Sequence, residues 1–375
     1  MEIVGIICEY NPLHLGHAKQ IRRIKEDFGD CAVVCLMSGN FVQRGMPAIF
    51  DKTYRAKAAI MAGADLVLEL PIPYALSSAE GFAAGGVKIL GEFCDYLCFG
   101  SESGEKNRLM ATAKALLSPQ FPEKLRVELD KGLSFPAARQ VALGEMGSLL
   151  EKPNDILAVE YCKAILQQDS AMKPYPICRQ GGYHDLQADP ENPSATAIRA
   201  LITSGQDYAD YVPNPQGYAN AAIHTLAAGE KAILYRLRTM TDGEFAALPY
   251  GSEGLWRKFM HACRSCASLE EIIAATKSKR YTRTRIDRMV MCAALGISQE
   301  TLESQAPYTR ILALNDKGRI VLKKARATGS FPNIGEKVDD PYQDLERRAD
   351  DLYGLFADPA ETAGWTNRRR VTYLR

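Results

Sequence analysis

Ile3-Val4-Gly5-Ile6-Ile7-Cys8-Glu9-Tyr10-Asn11-Pro12-Leu13-His14-Leu15-Gly16-His17 decides how this chain is read. Ile3 to Cys8 is an apolar run of strand length, buried on both faces, and Glu9 and Asn11 break it. Helical spacing of apolar residues then begins at His17. A strand that passes through a short polar turn into a helix leaves unpaired N–H groups and a positive dipole end at the carboxyl edge of a sheet. An anion is held well there. Gly16 lets the backbone come close to a phosphate, and His14 and His17 can donate hydrogen bonds to its oxygens. These are the parts needed for in-line attack at the α-phosphate of a nucleotide, where positioning and charge stabilisation supply most of the rate. The plainer alternatives are a chance pair of histidines or a partial metal site. Against them, two of the five histidines fall within four residues at an edge where open α/β sheets bind ligands.

Working outward, the first 200 residues alternate short apolar runs with helical patterns, which places the chain in the α/β class with a Rossmann-like parallel sheet. Further strands are expected at Ala32 to Met37, Leu66 to Leu70, Tyr96 to Phe99 and Tyr175 to Cys178. Helices are expected at His17 to Asp27, Lys52 to Ala62, Ser78 to Leu90, Lys106 to Leu117 and Ile156 to Leu166, with another starting at Ser194 or Thr196. Pro213, Asn214, Pro215 and Gly217 then interrupt the pattern, and helical periodicity dominates the rest. With 375 residues, two domains are the default. The division expected is residues 1–210, a nucleotide-binding α/β domain, and residues 211–375, a mainly α-helical and basic domain.

Composition narrows the class. Apolar residues at 46% and charged residues at 24% describe an ordinary folded protein. No apolar run is long enough for a membrane span and no export signal is read at the N-terminus, so a cytoplasmic location and no membrane partner are expected. The ten cysteines then read as reduced and mostly buried. Cys263 and Cys266 have metal-like spacing without a completing pair, so no protein-held metal is expected.

Several other segments carry chemistry. Ser194-Ala195-Thr196-Ala197-Ile198-Arg199 caps a helix, and Arg199 can aim a fork of donors at phosphate oxygens near that helix start. The loop after the second strand offers Ser38, Gly39, Asn40, Gln43, Arg44 and Lys52 as a substrate pocket, with Arg44 and Lys52 able to hold a carboxylate or the triphosphate. Asp51 reads equally as a cap. Gly100 permits close approach at the end of the fourth strand, Asn154 opens a helix, and Arg179 follows a further strand. Between residues 277 and 288, Lys277, Lys279, Arg280, Arg283, Arg285 and Arg288 surround Tyr281 with only Asp287 to balance them. A solvated helix face is the bland reading. Phosphate contacts with base stacking, hence an RNA surface that Arg368-Arg369-Arg370 extends, is the sharper one.

On these segments, together with Pro153 to Leu157, the sequence resembles the bacterial tRNA(Met) cytidine acetate ligase family, related to the nucleotidylyltransferases. Leu13 and Leu15 stand where that family is expected to have Phe and Asn, and Asp155 where it often has a second Asn. The resemblance implies an enzyme that uses ATP, with Mg2+, to activate acetate as acetyl-adenylate and passes the acetyl group to N4 of the wobble cytidine of elongator tRNA(Met). It assigns ATP contacts to Ile7, Cys8, Glu9, Tyr10, Asn11, Pro12, Leu13, His14, Leu15, Gly16, His17, Ala18, Lys19 and Gln20, with Gly100, Asn154 and Arg179. Ser194, Thr196 and Arg199 match a second phosphate motif, and His14 and His17 carry catalysis. Elongator tRNA(Met) and acetate are the partners implied; no protein partner is evident. Two alternatives stay open: a nucleotidylyltransferase acting on a small phosphate-containing substrate, and a non-catalytic RNA-binding protein that kept a nucleotide fold.

Overall fold

The computed structural model describes residues 1–178, 189 and 193–375. Among these, one large sheet runs in the order Lys173–Cys178, Tyr96–Ser101, Glu2–Cys8, Cys31–Ser38, Leu66–Leu70, Ile311–Leu314, Thr372–Tyr373. The first five strands of that order are mutually parallel. Ile311–Leu314 joins antiparallel to Leu66–Leu70, and Thr372–Tyr373 pairs parallel with Ile311–Leu314. From Glu2–Cys8 the chain steps to Cys31–Ser38 and Leu66–Leu70 on one side, then reverses to Tyr96–Ser101 on the other. The crevice of such a sheet opens at this reversal, between the carboxyl ends of Glu2–Cys8 and Tyr96–Ser101.

Both faces of the sheet are covered, as the unbroken apolar runs require. Ile3 and Ile7 pack with Val87, Leu90, Val159 and Cys162 from helices Ala79–Leu90 and Pro153–Gln167. Val4 and Ile6 point to the other face, against Ile21 and Ile24 of helix Leu15–Phe28, Ala56 and Ile60 of helix Lys52–Met61, and Ile198 of helix Ala195–Thr203. Period-two alternation along one strand thus feeds two cores. Among the described residues no helix is long and apolar enough to cross a membrane.

The expected strands and helices of the first 200 residues are present, with ends shifted by up to three residues. The strand from Tyr96 runs on to Ser101, so Gly100 lies within it instead of ending it. Helices Phe121–Asp130 and Phe135–Ala142 were not expected. They bury only Phe121 and Ala138 respectively, and several of their other apolar residues, among them Val127, Leu129, Phe135 and Val141, are exposed. Beyond residue 211 helices dominate, around a third core that includes Ile233, Phe245, Phe259, Ile272, Met289 and Tyr353. Two segments of this part nevertheless return to the sheet, which therefore takes strands from both sides of position 210. The traffic also runs the other way. A short hairpin, Phe41–Val42 with Met46–Pro47, sinks the buried Phe41 ring into the third core, 6.0 Å from Tyr353 and 6.1 Å from Phe356.

Candidate functional site

The site is built on the turn that leaves Glu2–Cys8. His14 is the N-cap residue of helix Leu15–Phe28, and its backbone N–H donates to Nδ1 of His17 at 3.3 Å. The two imidazoles stack with centroids 3.6 Å apart and planes inclined at 24°, and the Tyr10 ring lies 4.9 Å from His17. His14 is buried and His17 half-buried. A Cβ at position 16 would stand 3.0 Å from Cε1 of His14, so a glycine is what lets this ring lie against the first turn. The two histidines thus complete the helix start that Ser or Thr completes elsewhere, and they sit where the helix offers its positive end.

Two arginines bracket the backbone of this turn. Arg55 Nη1 donates to the Glu9 carbonyl at 2.6 Å, and Arg199 Nη1 to the Asn11 carbonyl at 2.8 Å. Arg199 Nη2 also donates to Thr196 Oγ1 at 3.1 Å, while Ser194 Oγ caps its helix by accepting from the Ala197 N–H. The Ser194–Arg199 segment is therefore folded onto the histidine turn. Across the crevice, Glu102 accepts from the backbone N–H and Nδ2 of Asn154 at 3.2 and 2.7 Å, and from the Asp155 N–H at 2.7 Å. Asp155 in turn accepts from Ser101 Oγ and the Ser103 N–H, which closes the turn just beyond Gly100. Gly100 and Asn154 are thus brought together at the neighbouring strand end.

Of the remaining nucleotide candidates, Ile7 and Leu13 are buried in the core and can offer a ligand only main chain, while Cys8, Glu9, Leu15 and Ala18 are half-buried and Lys19 is exposed. Gln20 Nε2 donates to Cys98 Sγ at 3.5 Å, and Tyr10 Oη lies 3.4 Å from Cys35 Sγ. Arg179 lies outside the described residues.

The loop expected to form the substrate pocket is in large part a structural joint. Lys52 Nζ donates to Glu69 Oε1 at 2.8 Å and Asp350 Oδ2 at 3.1 Å, with all three side chains buried. Asn40 Nδ2 donates to Asp350 at 2.8 Å, and its Oδ1 accepts the Lys52 N–H at 2.9 Å. Ser38 is fully buried. The ammonium of Lys52 is thus engaged by two carboxylates, although it borders a cavity of about 390 Å³ shared with Arg310, Glu346 and Arg347. Burial pushes Glu69 up to about 7, with Asp350 adding to the rise and Lys52 opposing it. For Lys52, burial works against the ammonium, but Asp350 and Glu69 hold its pKa above the usual lysine value. Gln43 does face the candidate site, its N–H donating to Glu9 Oε1 at 2.8 Å. Arg44 is half-buried in the same hairpin.

The basic segment is less unbalanced than its sequence implies, because its acids arrive from other elements. Arg283 is paired with Glu270 at 2.6 Å, Arg280 with Glu253 at 2.6 Å, and Tyr281 Oη donates to Glu253 at 2.9 Å. Arg285 donates to the Tyr250 carbonyl at 2.8 Å and lies over the Tyr281 ring. Arg288 stacks on Tyr250 and packs beside the hairpin tip, where a Cβ on Gly45 would come 2.5 Å from the Arg288 nitrogen. Lys277 and Lys279 are exposed. Arg369 likewise serves the fold, donating to Asp51 Oδ2 at 3.0 Å.

Sequence reading missed Arg55 and the Glu69–Lys52–Asp350 cluster. A signal existed for the first. Lys52 and Arg55 occupy the same stripe as Ala56, Ala59 and Ile60 on helix Lys52–Met61, and a cation on a core-facing stripe requires a partner.

A parallel sheet whose reversal point carries a histidine pair at a helix start defines a nucleotidyl transferase of the HIGH class, and that family matches residues 1–367. Similar curated proteins include the tRNA(Met) cytidine acetate ligase of Clostridium novyi, 38% identical with 88% of this chain and 89% of the relative covered. That of Acetivibrio thermocellus is 34% identical with 96% of both covered. The chain belongs to the tRNA(Met) cytidine acetate ligase family. The fold agrees with the crystal structure of apo Thermotoga maritima TmcAL at a TM-score of 0.89 and 30% identity, all of both chains being covered. The same Thermotoga protein bound with alpha-thio ATP gives 0.87.

Proposed function

We propose that this chain binds ATP in the crevice between Glu2–Cys8 and Tyr96–Ser101, activates acetate as acetyl-adenylate, and transfers the acetyl group to N4 of the wobble cytidine of elongator tRNA(Met). The observation that carries the reading is the bond from Arg199 to the Asn11 carbonyl, which folds the Ser194–Arg199 motif onto the histidine turn. Two anion-binding helix starts then converge on one place, as a triphosphate requires. The solved relative that holds an ATP analogue supports it.

In the first step an acetate oxygen attacks the α-phosphorus, the bond from that phosphorus to the bridging oxygen breaks, and pyrophosphate leaves. His14 and His17 hold the charge that develops on the phosphate oxygens, and the positive end of helix Leu15–Phe28 supports them. In the second step the cytidine amine attacks the acetyl carbon, AMP leaves, and the amine gives up a proton. Gly100 and Asn154 contact the nucleotide from the far lip. Among the described residues no three His, Cys, Asp or Glu side chains gather as a metal site. Mg2+ would accompany the triphosphate and would supply neutralisation of its charge. The basic segment, chiefly Lys277 and Lys279, meets the tRNA backbone.

The test is transfer of labelled acetate to unmodified elongator tRNA(Met) with ATP and magnesium, followed by nucleoside analysis. Label in N4-acetylcytidine that depends on ATP supports the reading. Unlabelled RNA, with ATP consumed when phosphorylated small molecules are supplied, supports a small-substrate nucleotidylyltransferase instead.

A further inference from the structure

We propose that Arg55 is a positioning residue for the nucleotide site: its guanidinium fixes the Glu9–Asn11 turn against the end of the second strand, and ATP affinity depends on it. Arg55 is fully buried, and among the described residues no carboxylate lies within ion-pair distance of it. Its donors go to main-chain carbonyls instead. Nε donates to Phe50 at 2.8 Å, Nη1 to Glu9 at 2.6 Å and Ser38 at 3.0 Å, and Nη2 to Gly39. Burying a cation with no carboxylate in contact is costly even with Asp51 acting on it from farther off, and an apolar side chain would fill the same space more cheaply. What an apolar residue cannot do is gather the carbonyls of two strand ends and a loop at once. A lysine cannot do it either, because its donors radiate from one atom.

The carbonyls that Arg55 gathers bear on the site. Glu9 opens the turn to His14, and the next residue, Tyr10, has φ of 46°, a left-handed conformation that a bulky side chain keeps only when held. Arg55 holds the carbonyl before Tyr10 and Arg199 the carbonyl after it. The Asn11 side chain, which accepts the Ile49 N–H at 2.8 Å, adds a third tie. Arg199 belongs to the proposed phosphate motif and would share its donors with ligand. Arg55 is sealed behind the turn, with no side-chain surface exposed and its donors already committed to main-chain carbonyls.

This inference rests on the ATP reading, and the experiment separates the two. ATP and elongator tRNA(Met) are titrated calorimetrically into wild type and Arg55→Lys, with Tm and circular dichroism recorded for each. The expected result is a Kd for ATP raised about tenfold or more, which corresponds to about 1.4 kcal/mol, with tRNA affinity unchanged. In Arg55→Ala, low-millimolar guanidinium restores ATP affinity and the same concentration of methylammonium does not. If Arg55→Lys does not accumulate as folded protein, Arg55→Ala purified with guanidinium carries the same readouts. A folded variant with wild-type ATP affinity overturns the proposal. So does a parallel loss of ATP and tRNA affinity with a fallen Tm, which marks a purely structural role. Absence of ATP binding by wild type refutes the nucleotide reading itself, and this proposal with it.

Discussion

Glu69→Gln isolates the buried cluster beneath the loop Ser38–Lys52. Burial raises the Glu69 carboxyl from an ordinary 4.5 to about 7, so the folded chain binds this proton more tightly than the unfolded chain does. The stability contributed is complete below the unfolded value and is lost as pH rises through about 7. A tenfold difference in proton affinity is worth about 1.4 kcal/mol, so this one group removes roughly 3 kcal/mol from the wild type between pH 4 and pH 8. Glutamine has the same shape and keeps an Oε1 that can accept from Lys52 Nζ, the bond seen at 2.8 Å, yet carries no charge to desolvate. Urea unfolding of both proteins at intervals from pH 4 to pH 8 gives the difference curve. That difference cancels groups common to both, including His224, which burial lowers to about 4 and which therefore acts in the opposite sense. The expected curve is flat at acid pH and rises in favour of the glutamine variant as pH passes 5, approaching roughly 3 kcal/mol at pH 8 with an unchanged m value. Parallel stability profiles for the two proteins would refute the charge argument.

Replacing His17 by Ala is expected to slow ATP-dependent acetylation by about 10²- to 10³-fold, the scale of losing one donor to a developing oxyanion. A filter-binding Kd for tRNA that stays within twofold of wild type, again an order-of-magnitude expectation, checks that the effect is local. Lys277→Ala with Lys279→Ala is expected to flatten the dependence of log affinity for tRNA on log salt by about 2. Arg283→Ala, whose charge is already met by Glu270 at 2.6 Å, should leave that slope nearly as it was; equal slopes for the lysine pair and wild type would dismiss this surface. Gly45→Ala forces a side chain into a left-handed position, φ of 74°, against the Arg288 backbone. Its expected cost is about 2–4 kcal/mol in urea unfolding, from handedness and overpacking together, and a loss under roughly 0.5 kcal/mol, the scale of a surface change, would show that the hairpin lifts away freely.

The parallel sheet was legible because each strand is buried on both faces and so writes an uninterrupted apolar run; Val33 to Leu36 and Leu66 to Leu68 are all fully buried. The histidine turn was legible because its residues are contiguous. The failures share one cause, which is that a partner distant in sequence changes what a residue is free to do. Lys52 looked available because nothing near it in sequence shows Asp350, 298 positions away. The basic run from Lys277 looked unbalanced because Glu253 and Glu270 lie outside it. Ile311–Leu314 is too short to announce a strand and has only its buried neighbours to define it.

These long-range partners also bear on how the two halves of the chain relate. The mainly helical part after residue 211 supplies Asp350 to Lys52 and Asn40, Arg369 to Asp51, and the Tyr353 hydroxyl to the Ala48 carbonyl at 2.8 Å. Apart from Lys52, which opens helix Lys52–Met61, each of those acceptors or donors belongs to the loop between the second strand and that helix. That loop is the same one whose strand-end carbonyls Arg55 ties to the histidine turn. Removing one partner of a buried pair strands the other at a cost of several kcal/mol, so the loop has a single well-defined arrangement only while the later helices are docked against it. The region that carries the basic segment and the region that carries the histidines therefore share one set of buried charges. A change that pries the Arg283–Leu295 helix from the hairpin acts on Gln43, and through its N–H on Glu9, at the edge of the proposed nucleotide site.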